Sequence, residues 1–151
     1  MLARAVAVVT LAASVAACGG SASTGPPEFR AGIDVCNGCG MTVSDTRCGA
    51  TLHSLEDSGE RWLVFDDIEC LLRWEAAHRG GAAGTRFLRD HARDTWTEAS
   101  AATLVRADAS LTPMGSGLLA FSDQGEAEAF ARESNGKTLV WAEAVVDEVP
   151  R

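Results

Sequence analysis

The chain has 151 residues, with 13 basic against 21 acidic side chains and a formal net charge of −8. Such an acidic balance argues against nucleic acid, which is held by a basic surface, and against docking on anionic lipid through a polybasic face. Five cysteines in so short a chain make sulfur chemistry the leading question.

Residues 1–17 read as an export signal. One charge, Arg4, precedes the run Ala5–Ala17, which is 13 residues long and broken only by Thr10 and Ser14. A spanning helix needs roughly 20 apolar residues, so the run fits a signal-peptide core. It ends in Val15-Ala16-Ala17-Cys18, small residues before a cysteine, which resembles the lipobox of bacterial lipoproteins. Cys18 is then the lipidated first residue of the mature protein, which has 134 residues with 12 basic and 21 acidic side chains. The expected location is the extracytoplasmic, periplasmic side of a membrane. Residues 18–32, rich in Gly, Ser, Ala and Pro, read as a flexible tether, and residues 33–147 as one folded domain.

Within that domain, Cys48–Leu55 reads as a strand, Asp57-Ser58-Gly59 as a turn and Arg61–Phe65 as a short apolar strand. Asp67 offers a helix N-cap, with Ile68, Leu71, Leu72 and Ala76 at helical spacing, and Gly80-Gly81 stops the helix. Thr85–Ser100 is polar with isolated apolar residues, which predicts one strand and a loop. The pattern then returns. Leu104–Ala107 and Gly117–Phe121 are strand candidates. Asp123 caps a helix with Glu126 in capping-box position, Asn135-Gly136 ends it, and Lys137–Trp141 reads as a final strand. At an offset of 56 residues Leu63 meets Leu119, Phe65 meets Phe121, Asp67 meets Asp123 and Trp74 meets Phe130. The expected fold is α+β, two β-β-α units packed together, over about 33–84 and 85–147.

Cys36-Asn37-Gly38-Cys39-Gly40-Met41 places three sulfur atoms within six residues of a turn-prone segment. Thiolate and thioether ligands together select Cu(I), whereas zinc has little use for a thioether. Besides the initiator, the chain has two methionines, Met41 and Met114, each beside a glycine. Core methionines usually sit inside apolar runs; these stand on loops with their thioethers free to bind. Alternatives remain open. Cys36 and Cys39 could form a thiol–disulfide redox pair. Cys36, Cys39, Cys48 and Cys70, with gaps of 2, 8 and 21 residues, could hold a structural zinc in a binding module. Cys48 and Cys70 could form a disulfide in an oxidising compartment. In the first turn behind Asp67, Cys70 also sits where the helix dipole favours a thiolate. His53, His78 and His91 show no metal-ligand pairing and read as surface or packing residues. No Gly-x-Ser-x-Gly, phosphate loop or HExxH is present, so no enzyme is expected.

The lipobox, Cys36-x-x-Cys39-Gly40-Met41, the Phe65-Asp66 strand end, and Met114-Gly115-x-Gly117 leading to Ala120-Phe121 together resemble the NosL family, the copper-binding accessory lipoproteins of nitrous oxide reductase maturation. The resemblance spans roughly Cys36 to Trp141. It implies the two-unit fold, a Cu(I) chaperone, and delivery to a cuproenzyme such as nitrous oxide reductase or to its assembly factors. By motif, Cys39, Met41 and Met114 are the ligands it implies, with Cys36 as a further ligand or a support. Cys48 and Cys70 match nothing in that pattern, which leaves them a disulfide or a second metal site.

Overall fold

The computed structural model describes residues 25–56, 59–78 and 83–148. The signal run, Cys18, the tip of the Asp57-Ser58-Gly59 turn and the Gly80-Gly81 stop lie outside them. No helix among the described residues is long and apolar enough to cross a membrane.

Two antiparallel sheets form the frame. The first has the order β2-β1-β3-β4, from β1 (Ala50–Glu56), β2 (Gly59–Phe65), β3 (Ala83–Arg89) and β4 (Trp96–Glu98). The second has the order β6-β5-β7, from β5 (Thr103–Arg106), β6 (Leu118–Phe121) and β7 (Lys137–Leu139). Helix α1 (Ile68–Ala77) packs on β1, β2 and β6, α2 (Gln124–Glu133) on the second sheet, and α3 (Trp141–Glu148) on α1. Strand alternation sends Leu63 and Phe65 of β2 inward, and they join Ile68, Leu71 and Leu72 of α1 in one core. The second core gathers Val105, Leu119, Phe121 and Ala127.

Asp90 joins the sheets. It bridges in parallel to Ala120 of β6, and its buried carboxylate accepts from the Ser122 N–H and hydroxyl at 2.7 and 2.5 Å and from the Ala92 and Arg93 N–H groups at 2.9 and 2.8 Å. Burial pushes its pKa up, but the bonds from Ser122, Arg93 and Ala92 outweigh that and hold the carboxyl below its ordinary value.

The fold class is the α+β one expected, with three differences in detail. Thr85–Ser100 supplies two strands rather than one, because Trp96–Glu98 pairs with Phe87–Arg89 after a turn at Asp90–Asp94. Trp141 starts α3 instead of ending a strand, with Glu143 accepting from the Val140 N–H at 2.9 Å. The offset of 56 carries α1 onto α2 end for end, and Asp67 and Asp123 cap them at matching positions, but the sheets differ in strand number. Within the segment expected to be a tether, Phe29 packs edge-on against Trp96 at 4.8 Å between ring centres, and Glu28 pairs with Arg89 at 3.0 Å.

Candidate metal centre

The Cys36–Met41 loop is built onto the free edge of β2. Asn37 donates its N–H to the Val64 carbonyl at 2.8 Å, and its side-chain oxygen accepts from the Val64 N–H at 2.7 Å. One asparagine thus does the pairing of a strand residue. The loop closes through Cys36 N–H to Met41 O (2.8 Å) and Gly40 N–H to Cys36 O (2.9 Å). Gly40 and Gly115 both take left-handed φ, +75° and +73°, which a side chain disfavours. That is why each loop methionine has a glycine beside it. Behind the loop, the buried Asp66 carboxylate accepts from the Ser44 N–H at 2.7 Å.

This anchoring sets the loop against the first turn of α1. The sulfurs of Cys36, Cys39 and Cys70 lie within 4.8 Å of one another, with Cys36 and Cys70 buried and Cys39 exposed. A metal bonded to each of three thiolates at about 2.3 Å, the zinc–thiolate length, would hold them about 4 Å apart. The group therefore needs to contract by less than about 1 Å to close on an ion.

Within the apo group the hydrogen bonding favours the thiolate at Cys36. The Cys70 thiol donates to it, burial opposes, and the N–H groups of Asp66, Cys39 and Gly38 add to the hydrogen bonding, so its pKa is pulled down to about 5. Cys70 is pushed up, first by donating to Cys36, then by burial and by the neighbouring sulfur charges. The helix dipole alone predicts the thiolate at Cys70. The hydrogen bond from the Cys70 thiol, joined by the backbone N–H groups of Asp66, Cys39 and Gly38, favours it at Cys36 instead.

The remaining candidates divide. Met41 follows Cys39 by two residues on the same loop and is 57 % exposed. Met114 is half-buried against the core that contains Cys36 and Cys70. Its N–H donates to Asp67 Oδ2 at 3.3 Å, and the Ser116 hydroxyl donates to Asp67 Oδ1 at 2.7 Å. All four described cysteines are free thiols, and Cys48 lies apart from Cys70. It is buried in the second core, its thiol 3.6 Å from the Leu111 carbonyl. Burial, with Asp45 and Asp67 nearby, pushes its pKa up to about 12.

The histidines are elsewhere. His53 stacks on Trp62 at 4.5 Å and His78 on Trp74 at 4.0 Å. His91 lies edge-on to Phe121 and Phe130, and its pKa is lowered first by burial.

Asn37, Gly38 and Ser116 were not legible as builders of the site, and Cys70 stood beside Cys36 and Cys39 only in the four-cysteine zinc alternative, where Cys48 was the fourth member. The signal that singled out Cys70 was its place in the first helical turn behind Asp67, directly after a strand.

An α+β domain in which three thiols meet at a loop–helix junction defines a protein fitted to hold a metal ion. The sequence matches the NosL family over residues 30–149, and the chain belongs to that family. It is similar in fold to the crystal structure of the copper chaperone NosL from Shewanella denitrificans, with a TM-score of 0.62 and 21 % identity, covering 78 % of this chain and 96 % of that one. No curated protein matches it.

Proposed function

We propose that the protein is a membrane-anchored, extracytoplasmic Cu(I) carrier, not an enzyme, that passes its ion to a cuproenzyme such as nitrous oxide reductase or to an assembly factor of one. The carrying observation is the convergence of Cys36, Cys39 and Cys70 with sulfurs within 4.8 Å, on a loop that also presents a thioether. Thiolate and thioether together favour Cu(I) over harder or larger-coordination ions. Membership of the NosL family and the fold shared with a copper chaperone support the same reading. Cys18 behind its small-residue run supports lipid anchoring.

Uneven burial supplies a route for transfer. Cys36 and Cys70 hold the ion from the protein side. Cys39 and Met41, both exposed, face an incoming partner and exchange first. An ion passed by such ligand replacement is never released to solvent.

The test is an anaerobic titration with Cu(I) and, separately, with Zn(II). The expected result is one Cu(I) per chain, displaced poorly by zinc and weakened by Cys39→Ser and by Met41→Leu. A protein that instead unfolds when zinc is chelated is a zinc-stabilised module, and one that turns over a disulfide substrate irrespective of Met41 is a redox protein.

A further inference from the structure

We propose that Asp67 is a positioning residue for this site: its carboxylate latches the Met114 loop to the first turn of α1 and so holds the thioether of the second half against the cysteine group. The proposal rests on the Cu(I)-binding reading above and goes beyond it.

Asp67 is fully buried and makes more bonds than a cap needs. Oδ1 accepts from the Glu69 N–H at 2.8 Å, which is the capping bond. The same oxygen accepts from the Ser116 hydroxyl at 2.7 Å, and Oδ2 accepts from the Met114 N–H at 3.3 Å. Capping alone is served equally well by Ser or Asn, without the cost of burying a charge. Only a carboxylate offers acceptors on both sides with no donor to turn away. The matching residue of the second half provides a comparison. Asp123 caps α2 by accepting from the Glu126 N–H at 2.9 Å, and it is exposed.

What Asp67 holds is itself braced. The Thr112 hydroxyl oxygen accepts from the Gly117 N–H at 3.0 Å, and the Ser116 hydroxyl oxygen accepts from the Leu118 N–H at 3.0 Å. The loop therefore moves as a unit, and its attachment to α1 fixes where Met114 sits. Cys70 lies on the same helical turn, its N–H donating to the Asp67 carbonyl at 3.0 Å. Latch and thiol are thus one rigid piece. Asp67 touches no metal in this arrangement; it sets the distance between a ligand of one half and the ligands of the other.

Asp67→Asn is the discriminating variant. Its oxygen can keep the capping and Ser116 bonds, but its amide then turns N–H groups on the Met114 N–H. Copper-edge X-ray absorption on selenomethionine-labelled full chain reads the consequence directly, in a Met41→Leu background, with Met41→Leu/Met114→Leu as the blank. The expected result is copper–selenium scattering in the Met41→Leu protein that disappears on adding Asp67→Asn. Affinity in a Cu(I) competition assay should fall about 10–100-fold, the usual effect of losing a ligand's support. Asp67→Asn should cost nothing further once Met114 is Leu, an epistasis that simple loss of a helix cap would not produce. Copper–selenium scattering that survives Asp67→Asn, or losses from Asp67→Asn and Met114→Leu that multiply, would overturn the latch. Copper bound by the Met41→Leu protein without any selenium neighbour would overturn it too while leaving the copper reading intact. An unsubstituted chain that takes up no Cu(I) would remove both.

Discussion

Gly38→Ala tests whether the cysteine group is held together by the close approach of loop and helix. Gly38 does not need its glycine for φ; it needs it for space. A Cβ there would lie 2.7 Å from the Cys70 carbonyl oxygen and 3.1 Å from Cys70 Cβ, where ordinary contact begins at 3.4 Å. The obstacle is the backbone of α1, which is fixed by its own hydrogen bonds, so the loop must retreat by about 0.7 Å. That movement carries Cys36 and Cys39 away from Cys70. It is comparable to the contraction of up to about 1 Å that closing on an ion requires. The expected stability cost is about 1–3 kcal/mol, as for other overpacked contacts, and the expected loss of Cu(I) affinity is about 10–100-fold. Gly40→Ala is the control, since its Cβ meets nothing within 4 Å and only the φ of +75° is disfavoured. It should cost about 1–2 kcal/mol with a smaller effect on affinity. Thermal melts and a Cu(I) competition assay on both variants separate the two quantities. Gly38→Ala binding with the affinity of the unsubstituted protein would refute the argument.

Three other expectations follow from the same geometry. The first step of thiolate ultraviolet absorbance in the apo protein should lie well below the ordinary thiol range, because the Cys70 thiol and backbone N–H groups donate to Cys36. Removing the Cys70 donor with Cys70→Ala should move that step up toward the ordinary thiol range of about 8.5, and an unmoved step would contradict the donor role. Cys48→Ala should leave Cu(I) affinity unchanged while costing roughly 1 kcal/mol of stability for the shallow core void it leaves; a loss of copper binding would place Cys48 in the site after all. Asp90→Asn should destabilise by about 2–3 kcal/mol, because charged acceptors are worth more than neutral ones. The folded pKa of Asp90 lies below its unfolded value, so its contribution is fully present above about pH 4 and is lost as pH falls through the folded value. The gap in melting temperature between the two proteins should therefore hold at neutral pH and close in acid; a gap that widens in acid would contradict this sign.

The fold was largely legible because its helices are signposted locally. Asp67 and Asp123 each stand after a strand aromatic and before an apolar stripe, and both cap as expected. The capping box was half right. Asp123 accepts from the Glu126 N–H, but the Glu126 carboxylate goes to Arg93 at 3.0 Å instead of back to the cap. Strand β4 was not legible, because three residues carry no period and Trp96–Glu98 becomes a strand only by pairing with β3. Helix α3 was misread for a related reason: Leu139-Val140-Trp141 continues the apolar character of β7, and the break is made by a capping bond from Glu143.

In the site, sulfur-bearing loops could be recognised by composition, but their meeting could not. Cys70 is 31 residues from Cys39 in sequence and reaches it only because Asn37 stitches the loop to β2, and β2 leads into α1. The protonation order was likewise invisible, since the Cys36 thiolate is favoured first by the Cys70 thiol, which only the fold brings near, and then by backbone N–H groups, which every residue carries. Asp66 and Asp67 read from sequence as a strand end and a cap. They also tether the segments that follow Met41 and contain Met114, a role set by what the fold brings opposite them.

Three thiols from a loop and a helix forming one copper site is the reading on which the proposed function stands. Copper-edge X-ray absorption on the Cu(I)-loaded chain, compared with Cys70→Ser, tests it most directly. The copper in the unsubstituted protein should be surrounded by sulfur alone, with one sulfur fewer and weakened binding in Cys70→Ser. An identical sulfur shell and affinity in the two proteins would contradict it.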